Sequence, residues 1–570
     1  MSAIESPSTT PTNAASSLVL SPVLTGRFAL RWQHCVVCAF FACVYLMAAY
    51  LPLSPVVIWR HLQIGDWILS HRMLPNIDPF LPLADGMPWM TTSWLSEVLL
   101  SGVYRIGGAQ GLSSCLSLLV LTMGFVTART AFVQTGRNRW AILAAGVVLA
   151  FHWPQITVLR PELFGLCCFV VLLWRLNRWQ NEADEMPRSS WVFVPLLFAL
   201  WANLDGSVFV GLFVMGCLAL GGLIDSAWTY RSPTPCGSVD DFQAANPPGH
   251  KGLGDRMGEL QFISRVWIAI GQPRNRRLVL LAELAAAATL LQPLGWDLWF
   301  DLGRGGRSTV WSEKGGFNPL VLASGTGFAC LLLWLTIAVL LRVSRRRIRA
   351  ADVLLLGGLS LAVASSRHLT LWLAPVACWV LLPHLAEVFE RSGWFRPKLS
   401  RLEWDADQPM PSFAFKYSVV SALLIWCAFS LSPLSNPVLG RQPLALERVV
   451  SKQAPFALGR HLQQHSYIPN GLVWVPEDWG DWLSWTGAKE LKVSMNSRRH
   501  VLPERLRQDI VLIARAEGNW TRTLDRYNVE LLVVDKQRQP RLADAALGQG
   551  SDWTVDYEDS MALVFRRRML

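Results

Sequence analysis

A succession of long apolar runs constrains this chain more than any other feature. Eleven of them approach the roughly 20 residues a helix needs to cross a bilayer. They fall at 34–53, 109–132, 139–153, 162–178, 190–203, 206–224, 277–294, 318–341, 351–365, 369–386 and 414–433, those at 139–153, 190–203 and 351–365 being short. Charged residues are 16% of the chain, against about a quarter in a soluble domain. The expected fold is therefore mainly α, a polytopic membrane helix bundle of about eleven spans. Trp94 to Ile106 is apolar but interrupted by Glu97 and Arg105, which predicts an interfacial helix feeding the second span.

The basic residues set the orientation. Arg27 and Arg31 precede the first span, and Arg137 and Arg139 lie between the second and third. Arg175, Arg178 and Arg188 lie near the fourth-to-fifth connection, and Arg274, Arg276 and Arg277 end a polar loop. Arg342 to Arg349 follow the eighth span, and Arg391, Arg396, Lys398 and Arg401 follow the tenth. With eleven spans all these groups share one side, so the N-terminus is expected in the cytoplasm and the C-terminal region outside the inner (plasma) membrane. The net charge of +11 is thus topology-setting charge beside spans, and nucleic-acid binding is discounted. The 28 Trp suit membrane interfaces, where an amphipathic ring sits at headgroup level.

The domain reading follows. Residues 1–26, rich in Ser, Thr, Pro and Ala, predict a disordered cytoplasmic tail. Residues 27–433 make the bundle, with an outer loop at 54–108 and a cytoplasmic loop at 226–276. Residues 434–570 change character. GLVWV (471–475), LKVSM (491–495), VELLVVD (529–535), WTVDY (553–557) and ALVFR (562–566) read as strands, with helical patterns near 479–486, 503–517, 519–527 and 540–547. That alternation predicts a C-terminal α/β extracytoplasmic domain. Trp479, Trp482 and Trp485, spaced by three, share one face of a helix and are expected near its contact with the outer loop. Ten of eleven cysteines lie within or beside apolar runs, including the pair Cys35 and Cys38, where packing is the simpler reading than metal or redox chemistry.

The stretch 57–94 is the chain's most unusual connection. It carries four Trp together with Arg60, His61, Asp66, His71, Arg72, Asp78 and Asp85. Connections of this length are functional or disordered, and this composition is not that of a linker. Other ionisable groups cluster at the same ends of the spans: Arg160 and Glu162 in LRPELF, Asn203 and Asp205 in WANLDG, Gln292, Asp297 and Asp301, then Arg367 and His368 in SSRHLT. A charge at the bilayer centre costs about 2.5–3.5 kcal/mol on insertion scales, so such residues tend to face a cavity or a partner. A polar chamber at the outer face would serve them together. Arginine pairs bidentately with phosphate, and aspartate can act as a base or a ligand.

These motifs carry a resemblance. WRHLQIGDWIL, LPNIDPF, MPWMTTSWLSEVLL and GGAQGL, with the cytoplasmic N-terminus and the C-terminal outer domain, resemble the GT-C superfamily of integral-membrane glycosyltransferases. The nearer likeness is to a large group of bacterial membrane proteins sharing RPELF, WANLDG, SSRH and EDWGDWLSW followed by a strand and an Arg. The resemblance implies transfer of a sugar from a polyprenyl-phosphate donor to an acceptor at the outer face of the membrane, in the cell envelope. In that picture Arg160 and Arg367 hold the phosphate, and His368, Arg60, His61, Glu162 and Asn203 contribute to substrate binding. Asp78, with Asp66 and Asp205 as further choices, activates the acceptor or binds a divalent metal. The chain departs from the pattern in three places: Val57 stands where the group has Asp, Asp205 where His is usual, and Asn496 where Asp is usual. The departure at Val57 leaves Asp66 or Asp78 to supply the acid, or makes the chain a non-catalytic membrane scaffold or lipid-binding protein of the same architecture. The topology is directly testable. A reporter active only outside the cytoplasm, fused after Leu570, should be active; activity of a cytoplasmic reporter there would make the span count wrong by an odd number.

Overall fold

The computed structural model describes residues 30, 32–54, 56–84, 91–181, 187–229, 269–304, 319–392, 414–442, 444–464, 471–487, 491–498, 502–548 and 552–568. The tail 1–26, Asp85, most of the loop 226–276 and the basic group at 396–401 lie outside them. The described chain is mainly helical. In order it forms α1 (Trp32–Ala49), α2 (Ile58–His71), α3 (Trp94–Thr135), α4 (Asn138–Ile156), α5 (Glu162–Asn181), α6 (Ser190–Leu204) and α7 (Val208–Thr229). There follow α8 (Pro273–Ala288), the short α9 (Asp297–Gly303), α10 (Gly325–Val343), α11 (Ala350–Ser365), α12 (Thr370–Ser392) and α13 (Ala414–Leu431). A helix therefore stands at each apolar run. Among the described residues five stretches are long and apolar enough to cross a membrane: Trp32–Ala49, Trp94–Thr135, Val208–Trp228, Gly325–Val343 and Arg367–Ser392.

Helix α3 is two helices joined at a kink. Gly108 has φ 57° and ψ −152°, a conformation open only to glycine. The arm before the kink, which begins at Trp94, lies against α2. Their approach is close: a Cβ at Gly65 would stand 2.1 Å from the Glu97 carbonyl oxygen. The long connection between α1 and α3 is thus not an open loop. It contains the helix α2, whose Ile58, Trp59, Leu62 and Ile64 are buried. Asp78 then organises a turn, its Oδ1 accepting from the Phe80 and Leu81 amides at 2.8 and 3.2 Å.

The C-terminal region adds α14 (Leu446–Val449), α15 (Phe456–Gln464), β1 (Leu472–Trp474), α16 (Glu477–Thr486), α17 (Glu504–Ala514), α18 (Trp520–Arg526), β2 (Val529–Asp535), α19 (Pro540–Leu547), β3 (Trp553–Glu558) and β4 (Ala562–Arg567). The four strands form one mixed sheet in the order β1-β2-β4-β3. β1 runs parallel to β2, and β4 is antiparallel to both β2 and β3. Residues 472–475 and 531–534 are buried throughout, as a strand covered on both faces requires. The expected strand at 491–495 is reduced to a single bridge, Val473 with Val493. A short segment of extended chain meets β1 there and then turns away.

This region is seated on α2 and on the chain after α1. Leu53 exchanges backbone hydrogen bonds with Val449 and Ser451, both 2.8 Å. Trp59, fully buried, meets Trp482 edge-on with centroids 4.7 Å apart, and Trp485 at 6.4 Å. Tyr104 on the arm of α3 packs edge-on to Trp485 at 5.5 Å. Trp479 is buried as well, but Trp482 and Trp485 make the ring contacts to Trp59. Gln63 Nε2 donates to Ser484 Oγ at 2.6 Å. The deepest tie is ionic: Arg498 Nη2 lies 2.8 Å from Asp78 Oδ1, the two side chains 1% and 0% exposed. Burial pushes the Arg498 guanidinium down from its usual range, and the Asp78 carboxylate opposes that shift. Removing one member of a buried pair costs about 3–5 kcal/mol because the other charge is stranded. Arg498→Met should therefore lower the unfolding temperature of the purified protein sharply. Adding Asp78→Asn should recover part of the loss, whereas strictly additive losses would show that the two side chains do not act as a pair.

Candidate active site

Five separate parts of the chain converge on one cavity of about 110 Å³. It is lined by Val57, Arg60 and His61 from the start of α2, Ser93 before α3, and Arg160, Pro161 and Glu162 at the start of α5. Asp205, from the turn between α6 and α7, and Ser497, from the C-terminal region, complete it. Local structure explains how each arrives. Helix α4 ends at Ile156, Pro161 disfavours helical backbone at Arg160 before it, and α5 begins at Glu162. Asp205 ends α6 in extended conformation, and its Oδ2 accepts the Ser207 amide at 3.0 Å. Gly165, one turn into α5, lets that turn approach: a Cβ there would stand 2.9 Å from Asp205 Oδ2.

The mouth of α2 is strained. Val57 has φ 76° and ψ −51°, and the Ile58 amide donates back to the Val56 carbonyl at 3.0 Å. This is a three-residue turn of the rare positive-φ kind, and a β-branched residue there is an outlier. Surrounding structure must hold it. One restraint is visible: the Val57 amide donates to Asp481 Oδ2 at 3.1 Å, and Asp481 is fully buried on α16. The position where the sequence pattern expects an acid is thus met by a carboxylate from the C-terminal region, through Val57's backbone.

Behind the cavity runs a buried polar chain. Arg60 Nη2 lies 3.2 Å from His61 Nε2, His61 Nδ1 lies 2.9 Å from Glu97 Oε1, and Thr91 Oγ1 donates to Glu97 Oε2 at 2.8 Å. Arginine has no acceptor, so His61 Nε2 accepts and the proton sits on Nδ1, directed at Glu97. Arg160 is half-buried; its Nε is buried, with no hydrogen-bond partner, and among the described residues its side chain makes no ion pair.

The other residues singled out in the sequence are placed elsewhere. Asp78, the leading choice for the catalytic acid, does not line the cavity, because Arg498 and two backbone amides take its Oδ1. Asp66 faces the arm of α3, where Ser101 Oγ donates to it and Arg105 Nε and Nη2 lie 2.9 Å from its Oδ1. Asn203 is a joint between helices: it accepts from Trp94 Nε1 at 2.9 Å and donates to the Ala199 and Leu291 carbonyls. Arg367 is exposed and His368 half-buried in the turn between α11 and α12; neither lines the cavity with Arg160. Ser93, Glu97, Asp481, Ser497 and Arg498 were not singled out by sequence. Glu97 had a signal, a carboxylate inside an apolar helix; the two serines had none. Among the described residues no group of three or more His, Cys, Asp or Glu is placed to hold a metal ion.

No family model matches the chain, and no curated protein matches it. Among solved structures it is similar to the apo form of the Archaeoglobus fulgidus oligosaccharyltransferase, at TM-score 0.48 and 12% identity over 94% of this chain and 74% of that one. It is also similar to ArnT from Cupriavidus metallidurans bound to undecaprenyl phosphate, at TM-score 0.48 and 11% identity over 94% of this chain and 97% of that one. At these scores the likenesses assign neither activity nor ligand to this chain.

The tautomer of His61 can be measured. Nitrogen-15 NMR of labelled protein should show His61 protonated on Nδ1 alone near neutral pH. A doubly protonated ring, or protonation on Nε2, would contradict the chain of hydrogen bonds from Arg60 to Glu97.

Proposed function

We propose that the cavity binds the phosphate of a polyprenyl-phosphate sugar and that the protein is a membrane glycosyltransferase of the GT-C kind. The observation that carries this reading is Arg160, a guanidinium whose Nε is buried without a partner in a cavity shared with Arg60 and His61. A guanidinium donor shut off from water is costly unless it is hydrogen-bonded, and an anionic ligand would supply the missing partner. Arg160 takes the role proposed from sequence; Arg367, exposed at another turn, is left to contact lipid headgroups.

The chemistry assigned to the site is a displacement at the anomeric carbon. The acceptor's hydroxyl oxygen forms the new bond to that carbon as the bond to the phosphate oxygen breaks. The phosphate leaves with the bonding pair, and Arg160 stabilises the charge that develops on it. Asp205, on the cavity wall, takes the proton of the acceptor hydroxyl. It replaces Asp78 as the leading candidate base, because the Asp78 carboxylate is engaged by Arg498. Glu162, also on the wall, is the second candidate. Sugar transfer on the outer face of a bacterial inner membrane accords with the orientation inferred from the basic loops.

Two substitutions separate binding from turnover. Arg160→Ala should weaken binding of a polyprenyl phosphate by about 1.5–3 kcal/mol, the range for a hydrogen bond to a charged group. Asp205→Asn keeps an oxygen for the Ser207 amide while removing the charge. It should lower kcat with donor affinity largely kept, as for a group acting in the transition state. Donor binding that is indifferent to Arg160→Ala would sink the assignment of the cavity. Lipid-phosphate binding without transfer from any polyprenyl-phosphate sugar would favour the non-catalytic reading, which Val57 in place of an acid supports.

A further inference from the structure

Ser497 is the cavity's single contribution from the C-terminal region among the described residues. Its hydroxyl oxygen is buried and has no hydrogen-bond partner. Native proteins leave few such groups, and each calls for a physical reason. The backbone around it is held from several directions, so the hydroxyl has not merely drifted there. Asn496 Oδ1 accepts the Arg498 amide at 2.9 Å, closing a tight turn directly around Ser497. Arg498 is anchored to Asp78. On the far side α16 presses against the preceding residues: a Cβ on Gly480 would stand 2.0 Å from the Met495 carbonyl oxygen and 2.9 Å from Asn496 Cα. Three restraints fix a residue whose own polar atom satisfies nothing in the protein.

We propose that Ser497 is a ligand-binding residue, its hydroxyl donating to the same oxyanion that Arg160 binds. A hydroxyl and a guanidinium at one cavity suit a phosphate mono- or diester, whose several oxygens accept from donors on different sides. The site is then complete only when the C-terminal region is seated. The Asp78–Arg498 pair acts as a positioning device, placing Ser497 without touching the ligand. This assignment rests on the phosphate reading of the cavity and extends it to a specific donor on another part of the chain.

The test is equilibrium binding of a fluorescent polyprenyl phosphate to the full-length protein in nanodiscs, with inorganic phosphate as competitor. Ser497→Ala should weaken binding about tenfold or more, the equivalent of one hydrogen bond to a charged group. Ser497→Thr, which keeps the hydroxyl, should restore most of the affinity. Asp78→Asn, which loosens the anchor, should lower affinity in an otherwise wild-type cavity but add little to Ser497→Ala, since both remove the same contact. Displacement by millimolar inorganic phosphate would identify the headgroup alone as the ligand, whereas resistance to it would show that the lipid chain contributes; the serine assignment predicts loss in either arm. Ser497→Ala binding like wild type while Arg160→Ala fails would overturn the role of Ser497 and leave the phosphate site standing. Wild-type binding by both variants would overturn the phosphate site itself.

Discussion

The pairing of Arg498 with Asp78 is the constraint on which the candidate site depends. Both side chains are almost fully buried, so neither can be solvated if the other leaves. Two charges in a low-dielectric interior add little net stability as a pair, yet separating them is severe. The consequence is geometric. The pair fixes a C-terminal turn against a turn of the α1–α3 connection, regions 420 residues apart in sequence. The buried ring contact of Trp59 with Trp482 and Trp485 joins the same two regions.

The same seating explains the strain at Val57. A β-branched residue at positive φ persists only where surrounding structure over-determines it. Here α2 begins immediately afterwards, packed against the arm of α3 through Gly65, and Asp481 holds the Val57 amide from the other side. The turn brings Arg60 and His61 to the cavity. Glu97 then orients His61, and Thr91 satisfies the second Glu97 oxygen. Three parts of the chain that could move independently as sequence are thereby locked into one wall. Arg160 and Asp205 form the opposing polar groups, brought up by a proline break before α5 and by the turn after α6.

Much of the fold was legible from periodicity. Apolar runs marked the helices, because a run of that length must be covered by lipid or by protein. The β-rich segments at 529–535, 553–557 and 562–566 became strands, since alternation with helices left them a sheet to join. The segment 491–495 did not, because after one bridge to Val473 the chain turns to carry Asn496, Ser497 and Arg498 towards the cavity. Sequence placed Arg160, Glu162, Asp205, Arg60 and His61 at connections on one side, and the structure gathers these five at one cavity. Asp78, Asp66, Asn203 and Arg367 carried the same signal of polarity near a span end, and periodicity could not tell a residue facing a cavity from one answering a neighbouring side chain.

What the sequence by itself determined was the list of helices and the set of charged groups at their ends. Both follow from local quantities, the length of an apolar run and the cost of a charge near hydrocarbon. What only the tertiary structure decided was which charge meets which. Asp78 looked like the best acid until Arg498, 420 residues away, took its oxygen. Ser497 looked like nothing until its neighbours were pinned and its hydroxyl left unsatisfied. Partner choice among buried charges depends on distances of a few ångströms between elements remote in the chain, and interaction energies at that range are set by packing.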